Sequence, residues 1–273
     1  MKSHRLTIAD LLALKGKRQL SMLRVVTLEE AEAAEKAGIK MVSVPPALLT
    51  AAFREAAPTV FAVPGLEYGD FVTAEEYLRA AFTAMRAGGD AVYCAASLSI
   101  IRRLRDEGIP VCSHVGLIPS KATWTGGFRA VGKTADSAFA IWQAVKALEE
   151  AGAFAAEIEV VPSEVASLIS ANTSLFMISM GAGAGCDAQY LFADDVLGQN
   201  RGHVPRHARA YRNFAAELDR LQQDRIAAFR EFREDVESGS YPENRHMVGL
   251  SEEELVGFRE KIANQPAPTA VSK

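Results

Sequence analysis

The chain has 273 residues, 49% of them hydrophobic and 23% charged, with a formal net charge of -4 at pH 7. This composition provides a sizeable core, and the slightly acidic balance argues against nucleic-acid or membrane-surface binding, which need a concentrated basic face. No apolar run reaches the roughly 18–20 residues of a membrane span, and the charged N-terminal stretch lacks the apolar segment of a signal peptide. Cys94, Cys112 and Cys186 are far apart without CxxC spacing, so we expect a cytoplasmic location.

Short apolar runs alternate with helical patterns along most of the chain. The runs predict strands at 20–26, 39–44, 60–64, 90–94, 109–115, 154–160, 175–180 and, weakly, 189–193. They are almost continuously apolar, as expected of strands that are covered on both faces. The helices between them end in glycine before the next strand, for example at Gly38 and Gly152. This alternation is typical of a parallel sheet built from βα units.

The number of strands decides between two parallel architectures, an open doubly wound sheet and a closed barrel. Eight candidates, with no GxGxxG motif after the first, favour an α/β fold of the (β/α)8 TIM-barrel type. Later patterns predict extra C-terminal helices, one over 205–237 and one beginning near Ser251. We therefore predict a single barrel domain over residues 1–264 with N- and C-terminal helices, and a disordered tail over 265–273.

Two residues near strand ends are the first candidates for chemistry, because active sites of such barrels lie at the C-terminal ends of the strands. His114 ends the run IPVCSHV and Glu159 lies near the end of FAAEIEV. A carboxylate in so apolar a strand favours function over a structural ion pair. For His114 a catalytic and a structural role are equally compatible with the sequence. Glu157 faces the same way as Glu159 but is deeper in the strand, so it ranks second.

The loop after His114, GLIPSKATWTGGFRAVGKT, is long for a compact domain. Its basic residues Lys121, Arg129 and Lys133 could close over an anionic substrate, or they could belong to a solvated surface loop.

Both strand ends lie in stretches that resemble a known family. IPVCSHVGLIPSKATWTGGFRAVGK and LEEAGAFAAEIEVVPSEVA are similar to the central signatures of the ketopantoate hydroxymethyltransferase (3-methyl-2-oxobutanoate hydroxymethyltransferase) family. The similarity continues through SMGAGAGCDAQYLFADDVLG, GHVPRHARAY and VESGSYPENRH. It spans roughly residues 70–246 in the same order and with nearly the same spacing, which exceeds what a short motif gives by chance.

The resemblance implies a metal-dependent barrel that forms ring-based homo-oligomers such as decamers. It implies transfer of a hydroxymethyl group from 5,10-methylenetetrahydrofolate to a branched 2-oxo acid in pantothenate biosynthesis. Glu159 would be the base that removes the proton next to the substrate carbonyl, and His114 would hydrogen-bond the substrate. The apolar positions Leu221, Phe229 and Phe232 suit an oligomer contact, although they could equally cover the barrel.

The chain departs from the family at the positions that hold its magnesium ion. The resemblance puts the three ligands, two aspartates and a glutamate, at Pro46, Gly65 and Ala95, so no metal ligand is predicted there. The family's substrate-binding lysine falls on Tyr93. Proline, glycine and alanine side chains offer none of the oxygen ligands that Mg²⁺ requires.

Replacement groups for the metal are present nearby. Glu67 and Asp70, in the loop GLEYGDF, could bind a metal or could simply be solvated. Alternatively Tyr93, Lys121 or Arg24 could stabilise the enolate charge without a metal. We predict that Tyr93 and Lys121, together with His114, bind the substrate.

These departures leave three functions open. The first is a hydroxymethyltransferase that acts on a branched 2-oxo acid. The second is a metal-independent carbon–carbon lyase or aldolase acting on a 2-oxo acid, and the third is a non-catalytic paralogue. Retention of Glu159 favours the two enzymes, whereas loss of the metal ligands favours the last two functions.

Overall fold

The computed structural model describes residues 4–265 and contains eight strands, each within two residues of its predicted ends. The strands are β1 (Leu20–Arg24), β2 (Met41–Val44), β3 (Phe61–Pro64), β4 (Val92–Tyr93), β5 (Val111–Gly116), β6 (Ala155–Glu159), β7 (Phe176–Met180) and β8 (Ala188–Phe192). Helices α1 to α9 are Ile8–Leu14, Leu28–Lys36, Ala51–Ala56, Ala74–Arg86, Leu98–Asp106, Ala122–Thr125, Ala135–Glu150, Ser163–Ala171 and Ala193–Leu197. Helices α10 and α11 are Phe214–Ser238 and Glu252–Ala263.

All strand pairs are parallel, and the sheet runs in the order β3-β2-β1-β8-β7-β6-β5-β4. Its two outer strands also meet. Gly65 forms a parallel bridge with Tyr93, and the Leu66 N–H donates to the Tyr93 carbonyl at 2.8 Å. The Asp90 N–H donates to the Ala62 carbonyl at 2.9 Å. These bonds bring the ends of the sheet together, so the predicted barrel fold is confirmed.

The barrel interior changes character along its axis. Since side chains alternate across a strand, every second residue of each strand faces inward. The lower inward positions are apolar and form one buried cluster, which includes Met22, Met41, Phe61, Ala91, Cys112, Ala155, Phe176 and Ala188. The same faces continue toward the carboxyl ends with polar side chains, namely Arg24, Ser43, Tyr93, His114, Glu157, Glu159 and Tyr190. The fold therefore collects the polar groups at the mouth of the barrel.

The chain consists of two compact units, residues 1–215 and 216–273. The first contains the barrel. The second contains most of α10, a 3-10 turn at Asn244–His246 and α11. No residue of α10 or α11 is buried, and Phe229 and Phe232 are exposed. No helix within residues 4–265 is both long enough and apolar enough to cross a bilayer.

The helix predicted over 205–237 begins later, at Phe214, so the prediction is wrong for residues 205–213. The backbone N–H of Tyr211 donates to the Val196 carbonyl at 2.9 Å, and the chain passes so close to Gly198 that a Cβ there would lie 2.1 Å from the Arg212 carbonyl oxygen. These tertiary contacts override local helical propensity. The helix predicted near Ser251 is confirmed, with Ser251 as its N-cap. Of the predicted tail, residues 266–273 lie outside the described part of the chain.

Asp187 joins three segments at the base of the barrel. Its carboxylate pairs with Lys15 Nζ at 2.8 Å and accepts backbone N–H groups from Gly16 at 2.9 Å and Met177 at 2.8 Å. Only 3% of the Asp187 side chain and 18% of the Lys15 side chain are exposed. Lys15 Nζ also donates to the Ser170 carbonyl at 2.9 Å, so Asp187 is its charged partner and Ser170 a neutral one.

We predict that Asp187→Ala lowers the free energy of unfolding by about 3–5 kcal/mol, because it leaves a largely buried ammonium group without its charged partner and two N–H groups without their acceptor. Urea denaturation measures this loss. The control is Lys36→Ala, which breaks an exposed pair with Glu32 and should cost no more than about 0.5 kcal/mol. A loss of under about 1 kcal/mol for Asp187→Ala would contradict the assigned role.

Candidate active site

A cavity of about 890 Å³ opens at the carboxyl ends of the strands. This volume lies in the range of small-molecule sites. The polar side chains at the barrel mouth form its floor, and the loops after β3, β5 and α9 contribute Glu67, Phe128, Lys133 and Arg206 to its wall. Inward-facing Met180 and Phe192 add apolar surface.

His114 and Glu159 face each other across adjacent strands of this floor. In the β5–β6 register, His114 is opposite Glu157 and Gly116 is opposite Glu159. The Nε2 atom of His114 lies 3.1 Å from a Glu159 carboxylate oxygen, with 5% of the histidine and 12% of the glutamate side chain exposed. Among residues 4–265, Nε2 has no aligned hydrogen-bond partner. The contact is therefore a close electrostatic approach, which becomes an ion pair when the imidazole is protonated.

The backbone around Glu159 is tightly constrained. Gly116 has φ +88°, and a Cβ there would lie 2.4 Å from the Glu159 carbonyl oxygen, so only glycine lets β5 approach β6 this closely. Val160, directly after Glu159, has φ +50°, a strained conformation for a β-branched residue. Backbone strain of this kind concentrates at functional sites. Both features fix the direction in which the Glu159 side chain leaves its strand.

A second contact holds the other nitrogen of the imidazole. The Tyr93 hydroxyl lies 2.5 Å from His114 Nδ1. Burial raises the pKa of Tyr93 well above its ordinary value, and the neighbouring charge of Glu157 raises it further. Tyr93 therefore stays protonated and can donate to Glu157 while it accepts from Nδ1–H. This arrangement orients the imidazole with Nε2 toward Glu159.

Glu157 and His114 form a coupled buried pair. Burial raises the pKa of Glu157, although the positive charge of His114 opposes the increase. For His114, burial lowers the pKa, but the negative charges of Glu157 and Glu159 outweigh it and the net direction is upward. Both groups consequently bind protons more tightly than they would in the unfolded chain.

The structure brings together most of the residues predicted from the sequence. Tyr93, His114 and Glu159 all line the cavity. Lys121 is not among the lining residues, but its charge lowers the pKa of His114 against the larger effects of burial and the carboxylates. Its role in direct substrate binding stays a prediction.

Sequence reasoning missed several lining residues. The Tyr190 hydroxyl lies 2.6 Å from Ser43 Oγ, and both belong to the inward faces of their strands. The alternation of side chains along β2 and β8 could have identified them. His207 also lines the cavity and packs against Gly181, where a Cβ would lie 2.7 Å from its ring nitrogen. The helix predicted over 205–237 gives His207 no role in the site, although its segment GHVPRHARAY is one of the stretches that resemble the family.

Comparison with known proteins finds one matching family and several relatives. The model of the ketopantoate hydroxymethyltransferase family matches residues 47–244. A 3-methyl-2-oxobutanoate hydroxymethyltransferase of Kosmotoga olearia is 31% identical over 87% of this chain and 95% of its own length. One of Methylibium petroleiphilum is 34% identical over 76% of this chain and 69% of its own length.

The fold also resembles that of a solved phosphonopyruvate hydrolase in complex with oxalate and Mg²⁺. The TM-score is 0.51 at 14% identity, over 94% of this chain and 98% of the other. The barrel and its strand-end carboxylate define an α/β-barrel enzyme. Within that class, the chain belongs to the ketopantoate hydroxymethyltransferase family.

The residues present do not fit the family's magnesium ion. Gly65 and Ala95 line the cavity but carry no oxygen ligand, and Pro46 is exposed in the turn after β2. Glu67 lines the cavity, whereas Asp70 does not. Within residues 4–265, the one group of three potential ligands close enough to share an ion is His114, Glu157 and Glu159.

That group is also a poor magnesium site. Mg²⁺ prefers oxygen ligands in octahedral geometry, whereas His114 offers nitrogen and already contacts Glu159. The pKa values of His114 and Glu157 are raised, so a metal ion would have to compete with protons at both groups. These three side chains therefore suit proton binding better than magnesium binding.

We predict a pH-dependent contribution of Glu157 to stability. The folded-state pKa values of Glu157 and His114 lie above their ordinary values of 4.5 and 6.5. The folded state therefore binds more protons, and its free energy of unfolding should fall as pH rises through this window. Glu157→Gln removes the contribution of the Glu157 carboxyl group and weakens that of His114, because the charge of Glu157 raises the pKa of His114. Its stability should fall less between about pH 5 and pH 9 than that of the wild type.

Urea denaturation across this pH range measures the two slopes. Glu150→Gln is the matched control, since it makes the same charge change at an exposed position and should follow the wild type. Equal slopes for the wild type and Glu157→Gln would show that the buried carboxyl is not the source of the pH dependence.

Proposed function

We propose that this chain is a hydroxymethyltransferase that acts on a branched 2-oxo acid, with Glu159 as the base. The observation that carries the proposal is a partly exposed carboxylate held against a buried histidine at the mouth of a family barrel. Two relatives, 31% and 34% identical to this chain, are named 3-methyl-2-oxobutanoate hydroxymethyltransferases. We take that 2-oxo acid as the test substrate.

Removal of the C3 proton is the step that this site suits best. Glu159 takes the proton, the C–H electron pair forms the C2–C3 double bond, and the carbonyl electron pair moves to the oxygen. A carboxylate can remove this proton efficiently only when it is positioned against the reacting carbon. The constrained backbone at Gly116 and Val160 supports such positioning.

His114 has a supporting role in this proposal. Because Tyr93 holds Nδ1, the imidazole keeps Nε2 toward Glu159 and toward a substrate above it. A raised pKa, due to the neighbouring carboxylates acting against burial, favours the protonated imidazole. A positive group here would stabilise negative charge that develops on the substrate.

The one-carbon unit would come from 5,10-methylenetetrahydrofolate. The cavity of about 890 Å³ exceeds the needs of a small 2-oxo acid, so a second substrate can share it. Arg129, Lys133 and Arg206 line the cavity outside the barrel strands and would suit the anionic tail of a folate. In the overall reaction, water supplies the hydroxyl oxygen and tetrahydrofolate is released.

The departures at Pro46, Gly65 and Ala95 favour a second candidate, a carbon–carbon lyase or aldolase that acts on a 2-oxo acid through the same base. This candidate shares the enolate but needs no folate. Product formation that requires the folate separates the first function from the second.

Assembly and location complete the proposal. We propose a ring-based homo-oligomer, supported by exposed apolar side chains such as Trp124, Phe128 and Phe229. A cytoplasmic location is supported by three free, buried cysteines. We also propose that the barrel and the helices of the second compact unit together count as a single domain over residues 1–264.

We predict that the protein exchanges the C3 proton of 3-methyl-2-oxobutanoate with deuterium in D2O, as followed by proton NMR. Glu159→Gln should slow this exchange by about 100- to 10,000-fold, because glutamine cannot accept the proton. Glu150→Gln, an exposed carboxylate change at the end of α7, should leave the rate unchanged.

Three outcomes are informative. Exchange that survives in Glu159→Gln would contradict the base assignment. Exchange without any hydroxymethylated product after addition of 5,10-methylenetetrahydrofolate would favour the lyase. No exchange by the wild type would contradict both enzymatic functions for this substrate.

A further inference from the structure

Arg24 places a permanent positive charge inside the barrel mouth. It ends β1 with its side chain on the inward face, in register with Ser43 of β2 and Phe192 of β8. Its side chain is 28% exposed and lines the cavity. The other lining Lys and Arg residues, Arg129, Lys133 and Arg206, belong to connecting segments. Among these described residues, Arg24 is the cation carried by a barrel strand.

Two neighbours hold the guanidinium in this position. Nη2 of Arg24 lies 3.6 Å from Oε1 of Glu67, and the guanidinium carbon lies 5.9 Å from the centroid of the Phe192 ring. The Glu67 carboxylate reaches back over Gly65, where a Cβ would be 3.1 Å from its Oε1. A side chain at position 65 would compete for this space. Gly65 stands at the position that the resemblance assigns to a metal ligand. Because it has no side chain, it leaves room for Glu67, the partner of Arg24.

The charge of Arg24 acts on the same floor as the proposed base. Burial raises the pKa of Glu157, and Arg24 is one of the charges that oppose this increase. Burial likewise raises the pKa of Tyr190, and Arg24 opposes it. Arg24, Glu157 and Tyr190 all line the cavity, so the guanidinium adds positive charge to the floor on which a substrate would lie.

A guanidinium matches what a 2-oxo acid presents. It is planar, always charged and able to donate two parallel N–H bonds to a carboxylate. The contact with Glu67 is longer than a hydrogen bond and Glu67 is 54% exposed, so this pair is weak enough for a substrate carboxylate to replace it. Fixed donors of this kind also stabilise negative charge on an enolate oxygen.

We propose that Arg24, which packs against Phe192 and exchanges Glu67 for the substrate, binds the carboxylate and oxo oxygens of the 2-oxo acid in place of the family's magnesium ion, so that the chain binds its substrate without a divalent cation. This inference rests on the proposed function for the identity of the substrate. The enolisation step is unchanged: Glu159 takes the C3 proton and the electron pair moves to the oxo oxygen, which faces the guanidinium.

Ligand binding tests the inference separately from catalysis. The probe is oxalate, a planar dianion that resembles the enolate of a 2-oxo acid, titrated calorimetrically into protein kept in EDTA. We expect the wild type to bind oxalate, with less than about a twofold change in Kd when excess Mg²⁺ replaces the EDTA. Arg24→Gln should weaken binding about 10- to 100-fold, and Arg24→Lys should retain part of the affinity.

Arg103→Gln is the matched control. Arg103 forms an ion pair with Glu75 at the same 3.6 Å, but on exposed helices outside the cavity, so oxalate binding should be unchanged. Circular dichroism melting establishes that each variant is folded. If Arg24→Gln does not fold, Glu67→Gln provides the second test: it should tighten oxalate binding in EDTA by releasing Arg24, and unchanged or weaker binding would overturn the inference.

The outcomes separate this inference from the proposed function. Oxalate binding that requires Mg²⁺, or an Arg24→Gln variant that binds like the wild type, would overturn the role of Arg24 even if proton exchange proceeds. Absence of wild-type binding in EDTA would also overturn it. Metal-independent, Arg24-dependent binding without proton exchange or hydroxymethyl transfer would support Arg24 and contradict the proposed function.

Discussion

The chemistry of this barrel depends on one imidazole that lies beside two carboxyl groups, the buried one of Glu157 and the partly exposed one of Glu159. Glu157 and Glu159 place acidic groups in a strand that is otherwise apolar, and their burial would be costly without a partner. His114 is that partner, because its proton compensates Glu159 directly and Glu157 through space. Tyr93 completes the arrangement by holding the opposite ring nitrogen.

The backbone makes this contact possible. β5 can approach β6 only because residue 116 is glycine, and Val160 accepts a strained conformation that turns the chain directly after Glu159. The lower barrel, filled with apolar side chains such as Phe61 and Phe176, gives these strands a rigid base. Stability is thus concentrated at one end of the barrel and chemistry at the other, as in other α/β barrels.

Much of this arrangement could be predicted from the sequence. Nearly continuous apolar runs identified all eight strands, and barrel geometry then selected His114 and Glu159 as strand-end groups. Tyr190 and Ser43 could also have been predicted from the alternation of side chains, because both continue the inward faces of their strands.

His207 could not be predicted in this way. Its segment has helical composition, but contacts with Val196 and Gly198 hold the neighbouring backbone in a non-helical path. The pairing of Arg24 with Glu67 could not be predicted from the sequence either, because it depends on how a loop folds back over Gly65. Local patterns predict which strand faces are polar, whereas contacts between loops and strands require the three-dimensional structure.

The central claim is that Glu159 faces the reacting carbon of a 2-oxo acid at the mouth of this barrel. A crystal structure of the chain with bound 3-methyl-2-oxobutanoate tests it most directly. The account predicts that C3 lies about 3–3.5 Å from a Glu159 carboxylate oxygen. A ligand bound in the cavity with C3 beyond about 5 Å from Glu159, or directed toward Glu157 instead, would contradict it.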